Sequence, residues 1–217
     1  MKAKDNPFRV DRLSMIRYRL AGTDWEDLMA RLRGLGLRAA VVGPEGSGKT
    51  LLVEEIGVRL EASGCRCRRE VLRRGQKALD GPQRHRLVDG VGPRDILVLD
   101  GAQELSFLSW RWLLWRSQKA GGLLVTSHRP GLLPTLLTCR TSPELLQEIV
   151  DELDPVGETP LPSAHELYAR HGGNLRTALL EAYDLCASLP PDAGTPVPAS
   201  SASDTVDPLP DRPRRAR

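Results

Sequence analysis

The chain has 217 residues, enough for one α/β domain with a small appendage. Its 31 Lys and Arg against 28 Asp and Glu give a net charge of +3, so charge alone does not predict a nucleic-acid partner. No apolar run approaches the roughly 20 residues needed to cross a bilayer, and no apolar stretch typical of a signal peptide follows the charged N-terminus. We therefore expect a cytoplasmic protein.

Residues 1–36 are predicted to form a helical N-terminal lead-in. Thr23 is the expected N-cap of its main helix, and Glu26 would complete a capping box. Apolar residues then recur at helical spacing, namely Trp25, Leu28, Met29 and Leu32.

Strands and helices alternate through residues 37–142, which we predict to be the α/β core of the chain. Aliphatic runs such as 95–100 are typical of strands buried on both faces of a parallel sheet. Helices are predicted over residues 51–60 and 103–119. Strands are predicted over residues 37–42, 67–72, 95–100, 123–126 and 135–141. The alternation predicts right-handed βαβ crossovers and a three-layer α/β fold with a parallel sheet.

The remainder of the chain reads as helical and then as polar. Residues 143–189 are predicted to form a small C-terminal helical lid, with helices at 144–153, 163–171 and 175–189. Gly172 or Gly173 would end the second of these helices, and Asn174 would cap the third. Residues 190–217 are rich in Pro, Ala and Ser, and they are predicted to be a disordered tail because they contain few large apolar side chains.

One segment matches the phosphate-binding P-loop pattern G-x-x-x-x-G-K-[ST]. Glycines let the backbone wrap a phosphate chain with its amides pointing inward, and the helix that follows adds its positive N-terminal end. Lys49 would reach the β- and γ-phosphates of ATP, and the Thr50 hydroxyl would bind Mg²⁺. The predicted nucleotide-binding residues are Gly43, Pro44, Glu45, Gly46, Ser47, Gly48, Lys49, Thr50 and Leu51.

Asp100 ends the most hydrophobic predicted strand, where the Mg²⁺-binding Walker B aspartate is expected. A carboxylate at the carboxyl end of a buried strand faces the crevice in which open α/β sheets bind ligands. The metal ligands predicted from the sequence are therefore Thr50 and Asp100.

The segment from about Ala39 to Leu180 resembles the AAA+ family of P-loop ATPases. The resemblance rests on the P-loop, on Asp100, on Thr126 at the end of the next strand, and on Gly173-Asn174-Leu175-Arg176 in the lid. It implies that Thr126 orients the attacking water as sensor 1, with Ser127 beside it. It also implies that Arg176 is the sensor 2 arginine that reaches the γ-phosphate. A loop-capping role remains open for Thr126, and a solvated position on the helix surface remains open for Arg176.

The sequence departs from that family directly after Asp100. Most active members carry a glutamate there, whereas this chain has Gly101. Glu104 is the nearest acid and is therefore the candidate catalytic base, with Gln103 as an amide that could position water. Glu104 could instead belong to the first turn of the next helix, where an acid is favoured by the helix dipole.

Several other residues carry weaker signals. Arg129 lies near the position of the family's arginine finger, which acts on a neighbouring subunit, although the connection here is short. The basic stretch 66–86 could contact nucleic acid, but a solvated face is favoured. Trp112 and Trp115 are expected to pack on the sheet, with Trp110 exposed. The cysteines, which lack the spacing of a zinc site, are expected to stay reduced: Cys65, Cys67, Cys139 and Cys186.

Together these features predict an AAA+-like protein that binds ATP and Mg²⁺ and hydrolyses ATP to drive a conformational change or assembly. A slowly hydrolysing nucleotide-dependent switch or adaptor is the first alternative, because no glutamate follows Asp100. A small-molecule kinase is the second, since Asp-Gly after this strand also occurs in P-loop kinases. Self-assembly or a protein partner is open, nucleic acid is unsupported by any motif, and no membrane association is expected.

Overall fold

The structure is a computed structural model, and it describes residues 6–13, 15–157 and 159–188. Within those ranges no helix combines the length and the apolar character that crossing a membrane requires. The tail predicted at 190–217 lies outside the described residues.

A five-stranded, all-parallel sheet forms the centre of the described chain. Its strands in chain order are β1 (Arg38–Val42), β2 (Arg66–Val71), β3 (Asp95–Asp100), β4 (Gly122–Ser127) and β5 (Thr135–Thr138). Their spatial order is β2-β3-β4-β1-β5, so β4 lies between β1 and β3. Because parallel strands end at the same edge of a sheet, the segments that follow Val42, Asp100 and Ser127 meet there.

Helices cover both faces of the sheet. The helices are α1 (Val10–Leu13), α2 (Trp25–Gly34), α3 (Lys49–Ala62), α4 (Gly81–Val88), α5 (Phe107–Arg116), α6 (Pro143–Leu153), α7 (Ala164–Arg170) and α8 (Leu175–Ser188). Val98 of β3 packs in one apolar cluster with α2 and α3, whereas its neighbours Leu97 and Leu99 pack in a second cluster with α4 and α5. Adjacent strand residues thus face opposite layers, which confirms the predicted three-layer α/β fold.

A third apolar cluster joins the C-terminal helices to the start of the chain. Leu146, Leu167 and Ala178 represent α6, α7 and α8 in this cluster, and Phe8 and Ile16 are buried with them. Arg19 reinforces the contact with ion pairs of 2.5 Å to Glu148 and to Glu152 of α6. The N-terminal segment is therefore packed against the lid helices, while the four-part division of the chain stays a prediction.

The main N-terminal helix begins one residue later than Thr23 would place it. Asp24 is the N-cap of α2, and its Oδ1 accepts a hydrogen bond of 2.8 Å from the Asp27 amide. A carboxylate satisfies a free N-terminal amide well and also interacts favourably with the helix dipole. The capping box predicted from Thr23 and Glu26 is therefore wrong.

The helix predicted over 103–119 is broken near its start. A short 3₁₀ turn, Ala102–Glu104, is followed by Ser106, whose side chain caps α5 by accepting from the Ser109 amide. The side of α5 that faces the sheet is formed by Trp110 and Leu113, which are three residues apart. Trp110 is buried, whereas the side chain of Trp115 is 62% exposed, so the predicted orientation of the tryptophans is wrong for both.

Four of the eight Lys and Arg residues in the basic stretch 66–86 form ion pairs with acids. Arg66 and Arg68 both contact the buried Asp95, at 2.5 and 3.4 Å, and Arg86 contacts Glu70 at 2.5 Å. Arg66 holds the pKa of the Asp95 carboxyl at about 2. These partners offset part of the positive charge, and the choice between a solvated face and a nucleic-acid surface stays a prediction.

Candidate nucleotide-binding site

The P-loop connects β1 to α3 at the carboxyl edge of the sheet. Gly46 and Gly48 have φ angles of +73° and +79°, in the left-handed region that favours glycine. The first hydrogen bond of α3 runs from the Leu52 amide to the Gly48 carbonyl at 2.9 Å. The amides of the first turn, before Leu52, therefore have no carbonyl acceptor within the helix. Such free amides at a helix N-terminus suit an anion.

Lys49 is folded back into this loop. Its Nζ donates to the carbonyl oxygens of Gly43 at 2.9 Å and Pro44 at 2.6 Å, and only 8% of the residue is exposed. Burial lowers the pKa of Lys49, while the charges of Asp100 and Glu45 act in the opposite direction. The ammonium thus lies inside the loop, where phosphate oxygens could replace the two carbonyl acceptors.

Thr50 and Asp100 meet although they lie 50 residues apart. The Thr50 hydroxyl donates to Asp100 Oδ2 at 2.6 Å. These are oxygen ligands of the kind that Mg²⁺ takes, a hydroxyl and a carboxylate. The structure therefore brings together the two metal ligands predicted from separate motifs, and their chemistry fits Mg²⁺.

Thr126 supports the same carboxylate from β4. Its hydroxyl hydrogen-bonds to Asp100 Oδ1 and accepts a hydrogen bond of 2.8 Å from the Gly101 amide. The residue is 1% exposed. In this structure Thr126 therefore positions Asp100, and a role in orienting water stays a prediction.

Glu104 is bound to a neighbouring loop. Its Oε2 accepts from the Gly75 amide at 2.7 Å, in the connection between β2 and α4. That amide, followed by the charge of Lys77, lowers the pKa of Glu104. A carboxylate with a lowered pKa is a weaker proton acceptor, so these contacts favour a loop-capping role over that of a general base.

The lid reaches the P-loop through Asn174. A Cβ added to Gly46 would lie 1.9 Å from Asn174 Oδ1, so the two residues are in direct contact. The same Oδ1 accepts from the Thr177 amide at 3.2 Å, which confirms Asn174 as the cap of α8. Arg176 is in the exposed first turn of this helix, two residues beyond the contact. Its predicted phosphate contact is not tested by the structure.

Two further residues support the P-loop and carry no signal in the sequence. The Tyr18 ring packs against Gly48, where an added Cβ would lie 3.2 Å from Cε2. Cys139, which follows β5, packs against Gly43, where an added Cβ would lie 2.7 Å from the Cys139 carbonyl oxygen. Burial raises the pKa of both Tyr18 and Cys139, which keeps these supports neutral.

Arg129 lies beyond the sheet edge in an exposed bend. Ser127 holds this bend, since its hydroxyl accepts from the Arg129 amide at 3.3 Å and donates to the Arg129 carbonyl oxygen at 2.8 Å. Within the described ranges the Arg129 guanidinium has no ion-pair partner, so its assignment as an arginine finger stays a prediction.

Comparison with solved structures shows what this arrangement resembles. The chain is similar to NtrX from Brucella abortus, solved in complex with ATP, with 14% identity and a TM-score of 0.52 over 93% of this chain and 59% of that one. It is also similar to the Thermotoga maritima RuvB Holliday junction branch migration motor, with 18% identity and a TM-score of 0.49 over 72% of this chain and 58% of that one.

The chain thus spans about three fifths of each of these structures. No protein-family model matches it, and no curated protein is similar to it in sequence. The likeness to NtrX shows the fold alone, and the resemblance to the AAA+ family stays a prediction.

Proposed function

We propose that this protein binds ATP with Mg²⁺ on its P-loop and hydrolyses the nucleotide slowly, as a switch that moves the helical lid. The observation that carries the proposal is the contact between the Thr50 hydroxyl and the Asp100 carboxylate beside the buried ammonium of Lys49. The ATP-bound NtrX structure supports the choice of ligand. A turn of free amides, an ammonium and a pair of oxygen ligands together suit a magnesium-bound triphosphate.

Each of these groups would have a separate task. The loop amides and Lys49 would bind the β- and γ-phosphates and offset their charge. Thr50 and Asp100 would hold Mg²⁺, which supplies further charge neutralisation between those phosphates when bound. Thr126 would keep the Asp100 carboxylate oriented through its hydrogen bond. Arg176, in the first turn of α8, would contact the γ-phosphate and so make the lid position depend on the nucleotide.

Slow hydrolysis follows from what surrounds Asp100. Gly101 provides no side chain to accept a proton, and the Glu104 carboxylate is engaged by the Gly75 amide. We therefore expect a rate on the order of 10⁻⁴ to 10⁻² s⁻¹, the range of P-loop GTPases acting without a partner protein. Release of inorganic phosphate from ATP in water, with no acceptor added, would also discard the kinase alternative.

Replacing Glu104 by Gln tests whether this acid takes part. Since the carboxylate caps a loop, we expect Glu104→Gln to change single-turnover hydrolysis by less than about threefold, whereas loss of a general base costs about 10²- to 10⁴-fold. Glu61→Gln is the matched control, because Glu61 of α3 is an exposed acid that forms an ion pair with Arg69 of β2. A hundredfold loss confined to Glu104→Gln would instead make Glu104 the base.

A further inference from the structure

Helix α5, which packs on the face of the sheet opposite α3, presents an apolar surface. Phe107 and Leu108 are 75% and 77% exposed, and Trp115 is 62% exposed. Large side chains clustered on one exposed helix are typical of an interaction site. Beside them lies a groove of about 190 Å³, lined by Leu79, Arg84, Leu105, Leu108, Ser109 and Trp112. We name the groove together with the exposed face of α5 the α5 surface.

Arginines border the α5 surface. The Arg84 guanidinium lies 5.1 Å from the centre of the Trp112 ring, and its Nε donates to the Leu79 carbonyl at 2.9 Å, which fixes its position. Arg116 lies 5.8 Å from the Trp115 ring, and Arg111 is exposed on the same helix. An apolar groove with aromatic walls and a basic border suits an extended segment that carries proline, aliphatic and acidic residues.

The chain itself contains such a segment, Asp204-Thr205-Val206-Asp207-Pro208-Leu209-Pro210-Asp211. Val206 and Leu209 are three residues apart in the sequence, so their Cα atoms can lie up to about 10 Å apart. Leu108 and Trp115, seven residues apart on α5, are separated by about 10 Å along the helix. The same spacing of three residues separates Asp204 from Asp207, so apolar and acidic residues recur together along the segment.

The chain is long enough to bring this segment to α5. Val206 comes 18 residues after Ser188, the last residue of α8, and can therefore lie up to about 60 Å from it. A domain of the described size is about 40 Å across. The reach of the segment thus exceeds the width of the domain, which allows residues 204–211 to contact α5.

We propose that residues 204–211 bind to the α5 surface of the same chain. Val206 and Leu209 occupy the groove and the apolar face beside it, and the aspartates face Arg84 and Arg111. This occupant satisfies both the apolar character and the charge of the site.

Tryptophan accessibility in the full chain tests the proposal. The variant Val206→Ser/Leu209→Ser replaces the two large apolar side chains of the segment and leaves the sequence of the described domain unchanged. Val197→Ser is the matched control outside the segment. Because Trp112 and Trp115 are two of the chain's four tryptophans, we expect the double variant to raise the acrylamide quenching constant roughly twofold and the control to leave it unchanged. A synthetic peptide of residues 203–212 should restore protection to the double variant.

Three outcomes would overturn the proposal. The first is equal quenching in the wild type and the double variant, and the second is an equal rise in the Val197→Ser control. The third is protection of the wild type that disappears on dilution, which would assign the α5 surface to a second copy of the chain. None of these readouts depends on nucleotide, so their failure would leave the proposed ATP-binding function intact.

Discussion

Replacing Asp100 by Asn is expected to lower magnesium-dependent phosphate release about 10²- to 10³-fold, the cost typical of losing one electrostatic group in such a site. The carboxylate accepts from Thr50 at 2.6 Å and also hydrogen-bonds to Thr126, so it is anchored on both sides. An amide keeps the shape of the side chain but loses the charge that a hard cation requires. Nucleotide affinity measured without magnesium should change little.

The matched control for Asp100→Asn is Asp89→Asn, which alters an exposed aspartate beyond α4 that pairs with Arg116 and His85. We expect this control to hydrolyse ATP at the wild-type rate. Single-turnover phosphate release at saturating magnesium measures both variants, and thermal unfolding checks that both are folded. If Asp100→Asn kept the wild-type rate, Asp100 would have no part in binding the metal.

Replacing Gly46 by Ala is expected to weaken ATP binding by about tenfold or more, and to displace the lid. The added Cβ meets Asn174 Oδ1 at 1.9 Å and its Cγ at 2.5 Å, which no side chain can accept without movement. The positive φ of +73° adds strain of about 1 kcal/mol that any alanine would incur there. The P-loop and the N-terminus of α8 must therefore separate, or the loop must change shape.

Gly64→Ala separates the backbone strain from the clash with Asn174. Gly64 has a φ of +87°, so alanine is strained there, but an added Cβ would have open space around it. We expect this control to lower stability by a similar amount while leaving the affinity for ATP unchanged. The double variant Gly46→Ala/Asn174→Gly should recover much of the lost affinity, since it removes the clash and glycine is tolerated at an N-cap. Calorimetric titration of the wild type, of the single variants Gly46→Ala and Asn174→Gly, and of the double variant gives the coupling. Equal losses in Gly46→Ala and in the double variant would mean that Asn174 does not transmit the effect.

Local sequence signals predicted the sheet and the P-loop well. The run at 95–100 is a strand with those same bounds, because a continuous aliphatic segment can be buried on both faces only in such a sheet. Gly46 and Gly48 adopt positive φ angles as their place in the motif suggested. The meeting of Thr50 with Asp100 was also predictable, since parallel strands end at one edge.

Contacts that depend on packing between distant segments were not predictable. Nothing near Tyr18 or Cys139 in the sequence indicates a P-loop support, because each reaches the loop only after the N-terminal segment and β5 are in place. The spacing of Glu104 from Asp100 made it a candidate base, but the Gly75 amide that engages it belongs to another loop. The orientation of Trp110 and Trp115 was not predictable because α5 carries large apolar residues on several sides, and packing decides that Trp110 and Leu113 face the core.

Calorimetric titration of the wild type and of Lys49→Ala with Mg-ATP tests most directly whether the loop around Lys49 binds a triphosphate. Removing the ammonium, which donates to the Gly43 and Pro44 carbonyls in this structure, should lower the affinity at least about 100-fold, or roughly 2.7 kcal/mol. Lys119→Ala, at an exposed lysine before β4, should bind as the wild type does. Full affinity in Lys49→Ala would contradict a phosphate site on this loop.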